Sequence, residues 1–253
     1  MMIRRFDSLT VRQHPDRTTL GANAAQHIAN AIGSAIAARG EARVIFACAP
    51  SQDEFLASLT TLPVQWERVA VFHMDEYVGL LDTHPASFRS YLREHLLAHI
   101  PAPRVVHFIH AEAPPDREAA RYAALLAEQP IDLVCLGIGE NGHLAFNDPP
   151  VADFHDPALV KLVALEDACR RQQVHDGCFA TLDAVPTHAL TLTIPALMSA
   201  LEISGVVPGS RKAAAVCDTL LGPISTDCPS SVLRIHPHAT LHIDTAAASL
   251  LPN

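Results

Sequence analysis

The sequence predicts an α/β protein with a mostly parallel central sheet covered by helices on both faces. Three observations lead there. Apolar runs of strand length alternate with longer segments of helical period. The clearest run, IDLVCLGI at 131–138, is apolar without alternation, the pattern of a strand buried on both faces. Hydrophobic residues make up 49% of the chain, and much of that share is alanine, which suits helices lying close on a sheet.

Taken in order, residues 18–38 read as an amphipathic, alanine-rich helix ending at Gly40. Residues 44–49 form a short strand stopped by Pro50, after which Ser51-Gln52-Asp53-Glu54 fits a capping box. Residues 69–72 are a second strand that runs into the polar HMDEY. Residues 84–99 read as helix, 104–109 as strand and 115–128 as helix. After the strand at 131–138 comes a glycine-rich turn. Residues 161–165, 189–193 and 203–207 are further strands, 209–220 a helix and 241–243 a last strand. The proline-rich FNDPPVADFHDP at 146–157 reads as an active-site loop.

A chain of 253 residues can bury a substantial core. It shows no repeat, low-complexity tract or linker. Its net charge of −9 argues against a nucleic-acid surface, so an anionic ligand needs a local basic site. Lys161 and Lys212 are the only lysines. The six cysteines form no C-x-x-C pair and several lie in apolar runs, as buried free thiols of a reducing compartment do. MMIRRF leads into no signal-peptide run, and no unbroken apolar stretch is long enough to cross a membrane. A cytoplasmic protein without membrane contact is expected.

In open α/β sheets, ligands bind beyond the carboxyl ends of strands. Four such ends carry polar residues: 50–54, 73–77, 137–148 and 208–212. Asp75 directly follows an apolar strand. A carboxylate shielded there has a raised pKa and suits a base, although Asp75 and Glu76 by themselves fit a solvated turn or a helix cap better. In LGIGENGHLAFNDPP, Gly137, Gly139 and Gly142 allow a tight turn and close backbone approach to a ligand. His143 exchanges protons near neutrality, and Asp148, five residues on, can orient its ring. The glycine spacing matches a dinucleotide fingerprint, but it comes late and does not enter a helix smoothly. In VVPGSRKAAAVC, Gly209-Ser210 opens a helix bearing Arg211 and Lys212, a phosphate site in composition. Ser51 can add donors, and Arg170 or Arg171 a guanidinium fork.

The 15 histidines raise a metal alternative, with His73, His107, His110, His143, His236 and His238 as candidates. None forms H-E-x-x-H or another closed ligand set, so a site without metal is expected.

HMDEYVGL and GIGENGHLAFNDPP resemble the two signature segments of the glucosamine-6-phosphate deaminase/isomerase family. HPASFRSYL, VPTHALTLTIPALMSA, GSRKAAAV and SSVLRIHPHATLHID resemble later family segments in the expected order. The resemblance covers nearly the whole chain and implies a single domain over 1–253. The implied fold is a modified Rossmann-like three-layer sandwich. The implied reaction converts an amino-sugar phosphate to a ketose phosphate and ammonia, acting on a C–N bond with no cofactor. By motif, Asp75 moves a proton between C2 and C1, and His143 opens the ring with Asn141 and Asp148. Ser51, Gln52, Gly139, Gly142, Arg171, Ser210 and Lys212 surround the sugar phosphate. A homo-oligomer is also implied. The chain departs from the family in carrying Asn141 for Asp, Asp148 for Glu, and the acidic APSQDEF for a Thr- and Gly-rich loop. Only Lys161 remains of the basic residues of an allosteric site, so no allosteric activation is expected.

Three other readings stay open. A sugar-phosphate lactonase needs only His143 and the phosphate site. A sugar-phosphate sensor binds without turnover. A metal-dependent hydrolase is inactivated by chelators.

Overall fold

The computed structural model describes residues 1–175 and 177–252. Strands β1 (Met2–Phe6) and β2 (Leu9–His14) form an antiparallel hairpin whose turn places Asp7 at φ 52°. Helix α1 (Arg17–Arg39) follows. The Asp16 side chain caps it by accepting from Thr19 N at 2.7 Å, and Gly40 ends it in the left-handed region. Strand β3 (Ala42–Phe46), helix α2 (Asp53–Leu59), strands β4 (Val69–His73) and β5 (Asp75–Tyr77), and helix α3 (Phe88–His95) come next. They are followed by β6 (Val105–His107), α4 (Pro115–Ala127), β7 (Leu133–Leu136), β8 (Val160–Ala164) and α5 (Asp167–His175). The chain closes with β9 (His188–Leu192), α6 (Ile194–Met198), β10 (Glu202–Val207), α7 (Ala213–Leu221) and β11 (Ala239–Asp244).

The main sheet has eight strands in the order β1-β2-β11-β10-β7-β3-β4-β6, and every pairing beyond the β1–β2 hairpin is parallel. Alternation along the central strands feeds two cores. Val44, Phe46, Val71 and Cys135 face α1, α2 and α3, while Ile45, Phe72, Val134 and Leu136 face α4, α6 and α7. This is the expected three-layer α/β sandwich. Gly21 of α1 lets the helix approach α2 closely, since a Cβ there would lie 2.7 Å from Glu54. No described helix is long and apolar enough to cross a membrane.

Several local expectations need correction. The strands near 161–165 and 189–193 do not join the main sheet. They form β8 and β9 of a three-stranded antiparallel sheet with β5. The capping box at 51–54 does not form. Residues 50–52 make a 3-10 turn, α2 begins at Asp53, and Glu54 pairs with Arg17 instead of reaching back. The helix expected over 84–99 is shortened to α3, because the turn holding Ser87 N against the His84 carbonyl comes first. The hairpin β1–β2 was not expected: MIRRF and LTVRQH mix charge with apolar residues, as edge strands do.

Beneath α1 lies a chain of imidazoles. His14 Nε2 is 3.2 Å from His242 Nδ1, His242 Nε2 is 3.1 Å from His27 Nδ1, and His27 Nε2 is 3.1 Å from Glu202 Oε1. A carboxylate only accepts, so His27 Nε2–H donates to Glu202. With neutral rings, His242 Nε2–H then donates to His27 and His14 Nε2–H to His242. His14 Nδ1 is left buried without a partner.

Candidate active site

Chain direction diverges between β3 and β7. From β3 the chain moves outward to β4 and β6, and from β7 it moves to β10 and β11 on the other side. A crevice opens beyond the carboxyl ends of strands at such a point. An open cleft lies there, lined by residues 47–51, Asp75, Gly137, Gly139, His143 and Lys212. The apolar wall includes Phe88, Tyr91 and Phe146.

The loop after β7 builds a compact polar unit. His143 Nδ1 lies 3.0 Å from Asp148 Oδ1, and Asn141 Nδ2 donates to the same oxygen at 2.8 Å. Asn141 Oδ1 accepts the His143 backbone N–H at 3.1 Å, and Gly139 N–H donates to the His143 carbonyl at 3.0 Å. Gly139 is required for this packing: a Cβ there would sit 2.3 Å from the His143 ring. Gly142 adopts φ +83°, and a Cβ there would strike Cys228 Sγ at 2.6 Å. Burial pushes the Asp148 carboxyl up, but hydrogen bonds from His143, Asn141 and the Cys169 thiol outweigh it and hold it below the usual range. An ionised Asp148 fixes the His143 proton on Nδ1, leaving Nε2 to meet a ligand.

Asp75 follows β4 and sits at the start of β5. It is 7% exposed, and no hydrogen bond to its carboxylate is found among the described residues. Burial and the neighbouring Glu76 push its pKa well above the ordinary carboxylate value. Glu76 points the other way. It accepts from Ser87 Oγ at 2.7 Å, from the backbone N–H groups of Tyr77, Phe88 and Arg89, and from Arg89 Nε at 3.2 Å. Arg89 continues to Glu112 at 2.8 Å and to the Leu80 carbonyl at 2.7 Å, which ties the 80–88 loop to the strand. Strong basicity at Asp75 therefore rests first on burial and second on the braced Glu76 carboxylate beside it.

A second cavity joins the cleft at Ser51 and Lys212 and is lined also by Arg17, Gly209, Ser210 and Arg211. Sequence reading missed Arg17. It stands in the first turn of α1, far along the chain from the other cations, and no motif marks it. Gln52 is buried behind Ser51 and donates to Ser51 Oγ at 2.9 Å and to the Val206 carbonyl at 3.2 Å. It orients Ser51 and does not line either cavity. The Gly209 N–H is not a free anion donor, since the Asp244 carboxylate accepts it at 3.0 Å.

The acidic pair after Pro50 is consumed by neighbours. Tyr91 OH donates to Asp53 Oδ1 at 2.6 Å, and Glu54 is paired with Arg17. Arg171 is not brought to the cleft: it is exposed on α5 and paired with Asp167 at 3.5 Å. Arg170 turns inward, donating to the Leu182 and Val185 carbonyls. Among the histidine metal candidates, His73 accepts from Ile109 N at 2.8 Å, and burial lowers its pKa to about 3. His236 Nε2 meets the Ala200 carbonyl at 2.9 Å. Both are structural. Among the described residues, the set able to offer three ligand atoms to one ion is His143, Asp148 and Cys169, whose donor atoms all lie within 4.8 Å of one another. Cys169 was read from sequence only as a buried thiol.

A sequence model described as glucosamine-6-phosphate isomerases/6-phosphogluconolactonase matches residues 15–242. A glucosamine-6-phosphate deaminase of Exiguobacterium sibiricum is 37% identical over 188 residues, 74% of this chain and 73% of that protein. Another, from Listeria monocytogenes serotype 4a, is 37% identical over 214 residues, 84% of this chain and 89% of that protein. The solved structure of a monomeric glucosamine-6-phosphate deaminase superposes with a TM-score of 0.88 at 29% identity, covering 95% of this chain and 99% of that one. A 6-phosphogluconolactonase from Trypanosoma brucei shares the fold, with a TM-score of 0.77 at 17% identity and coverage of 99% and 100%. The chain belongs to the glucosamine-6-phosphate isomerase/6-phosphogluconolactonase family.

Proposed function

We propose that this protein converts a phosphorylated 2-amino aldose, of the glucosamine 6-phosphate kind, to the ketose phosphate and ammonia. The observation that carries this reading is one cleft lined by both the Asp75 carboxyl and the His143 imidazole, with Lys212 and Ser51 leading to a cationic annex. His143, polarised by Asp148 and Asn141, takes the anomeric hydroxyl proton and returns it to the ring oxygen, opening the sugar. Asp75 then takes the C2 proton and delivers it to C1, giving a C2 imine that water converts to the ketone with loss of ammonia. Its raised pKa strengthens it as a base, and the apolar wall keeps the abstracted proton from exchanging with bulk water.

Ser51, Ser210, Lys212 and Arg17 are the proposed phosphate contacts, with Gln52 holding Ser51 in place. Gly139 and Gly142 shape the His143 loop. The relatives named deaminases, at 37% identity, support this reading over a lactonase. A single domain, a cytoplasmic location in keeping with six free cysteines, and turnover without a cofactor belong to the same proposal. The homo-oligomer implied by resemblance is replaced by a monomer, the state of the solved deaminase.

The test is an ammonia-release assay over a panel of 2-amino-2-deoxyhexose 6-phosphates, with Asp75→Asn as control. Release from at least one sugar, lost in the control by roughly a thousandfold, is expected. Lactone hydrolysis that survives Asp75→Asn, with no ammonia from any sugar, would give the site to a lactonase.

A further inference from the structure

The His143–Asp148 pair has a feature that proton transfer does not require. A thiol completes it: Cys169, on the first turn of α5, donates to Asp148, and both residues are almost wholly buried, at 1% and 2% exposure. Imidazole nitrogen, carboxylate oxygen and sulfur thus surround one point, with all three donor atoms within 4.8 Å of one another and the nitrogen–oxygen pair at 3.0 Å. Tetrahedral zinc binds N, O and S at about 2.0–2.3 Å, which sets donor separations of about 3.3–3.8 Å. The set therefore needs only small side-chain movements to close on an ion. Three protein ligands leave one position of a tetrahedral ion for water or another small ligand, and His143, the less buried of the pair it forms with Asp148 and a residue of the cleft lining, marks the side from which an ion reaches them.

We propose that His143 Nδ1, Asp148 and Cys169 form a binding site for a thiophilic divalent cation of the zinc class, and that its capture switches the enzyme off. The inhibitory effect rests on the function proposed above; the binding site itself does not. On binding, the Cys169 S–H bond breaks, the sulfur electron pair goes to the metal and one proton leaves to solvent. The His143 proton moves from Nδ1 to Nε2 as Nδ1 donates its lone pair to the ion. His143 then has no lone pair for a substrate proton, so turnover stops while the sugar and phosphate contacts stay open. A hard cation such as Mg2+ prefers oxygen ligands and is excluded by the sulfur and imidazole.

Two measurements test this. In the first, the chain is titrated with Cd2+ and the sulfur-to-cadmium charge-transfer absorption is followed, in the wild type and in Cys169→Ala, Cys169→Ser and Cys178→Ala. A single equivalent is expected to bind in the wild type and in Cys178→Ala. Loss of Cys169 should weaken binding by at least about tenfold and remove the absorption. Cys169→Ser keeps a donor to Asp148, so it separates loss of the soft ligand from misfolding. In the second, Zn2+ is expected to lower kcat at unchanged KM, reversibly with EDTA, and Mg2+ to have no effect. Equal Cd2+ affinity and absorption in Cys169→Ser and the wild type would overturn the site. Zn2+ inhibition that raises KM, or that is unchanged in Cys169→Ser, would overturn the switch. Absence of turnover in metal-free wild type would count against the proposed function alone, because the cadmium titration is read without substrate.

Discussion

Two histidine systems in this molecule use the same hydrogen bonds for opposite ends. At the carboxyl edge of the sheet, His143 shares Asp148 with Asn141 and Cys169 and turns its second nitrogen toward a cleft. Beneath α1, His14, His242 and His27 pass their hydrogen bonds one to the next and end on Glu202, with His14 and His242 sealed from solvent. In the first, an ionised carboxylate stands ready for an imidazolium. In the second, burial lowers the pKa of both His14 and His242, helped at His14 by the N-terminal ammonium and Arg12 and at His242 by His27, His14 and Arg12, so both rings stay neutral. The two kinds of imidazole differ in the solvent and charge around them, not in the ring.

The largest effect that would sharpen this contrast is on turnover. His143→Gln is expected to lower kcat by roughly a thousandfold while leaving urea unfolding unchanged; a large loss of stability there would merge the two systems. Next comes His242→Leu, which strands the donor of His14 and the acceptor of His27. It should cost about 2–4 kcal/mol in urea unfolding and leave kcat unchanged. A fall in kcat in folded His242→Leu would break the comparison.

Acid separates the two systems more gently. Unfolded histidines titrate near pH 6.5 while His14 and His242 resist protonation in the fold. The unfolded chain therefore binds more protons, and stability falls as pH drops below about 6.5, by up to about 1.4 kcal/mol per pH unit for each ring. Asp148 runs in a lower window. Its folded pKa is depressed, so its contribution is full above the unfolded carboxylate pKa and is lost only as pH falls through roughly 4 and below. Denaturation curves from pH 7 to 5 should slope in the wild type and flatten in His242→Leu; parallel slopes would show that the chain of imidazoles is not the titrating element. The smallest effect is expected at Arg171. Exposed and paired with Asp167, it should leave KM unchanged on Arg171→Gln, whereas Lys212→Met should raise KM roughly tenfold to a hundredfold.

The legible parts of this protein are those whose contacts are close in sequence. Asn141, His143 and Asp148 lie on one turn, and glycines at 139 and 142 announce a turn whose backbone must pass close to other atoms. Strands β3, β4 and β7 were visible because burial on both faces leaves no room for polar residues. The strands that were missed or misplaced depend on partners. β5 is three polar-flanked residues that become a strand only by pairing with Thr191, Leu190 and Ala189, and β8 and β9 alternate in a way either sheet could use.

By itself, then, the sequence determined the layered α/β class, the glycine turn with its histidine and carboxylate, and the carboxylate after β4, because each is written in residues a few positions apart. Only the tertiary structure decided the rest. It brought Arg17 to Lys212, hydrogen-bonded Asp53 to Tyr91 and paired Glu54 with Arg17, turned Arg171 away, and set the Cys169 thiol on Asp148. Those contacts join residues separated by tens to hundreds of positions. Strand order and helix packing choose such partners, and no local pattern encodes either.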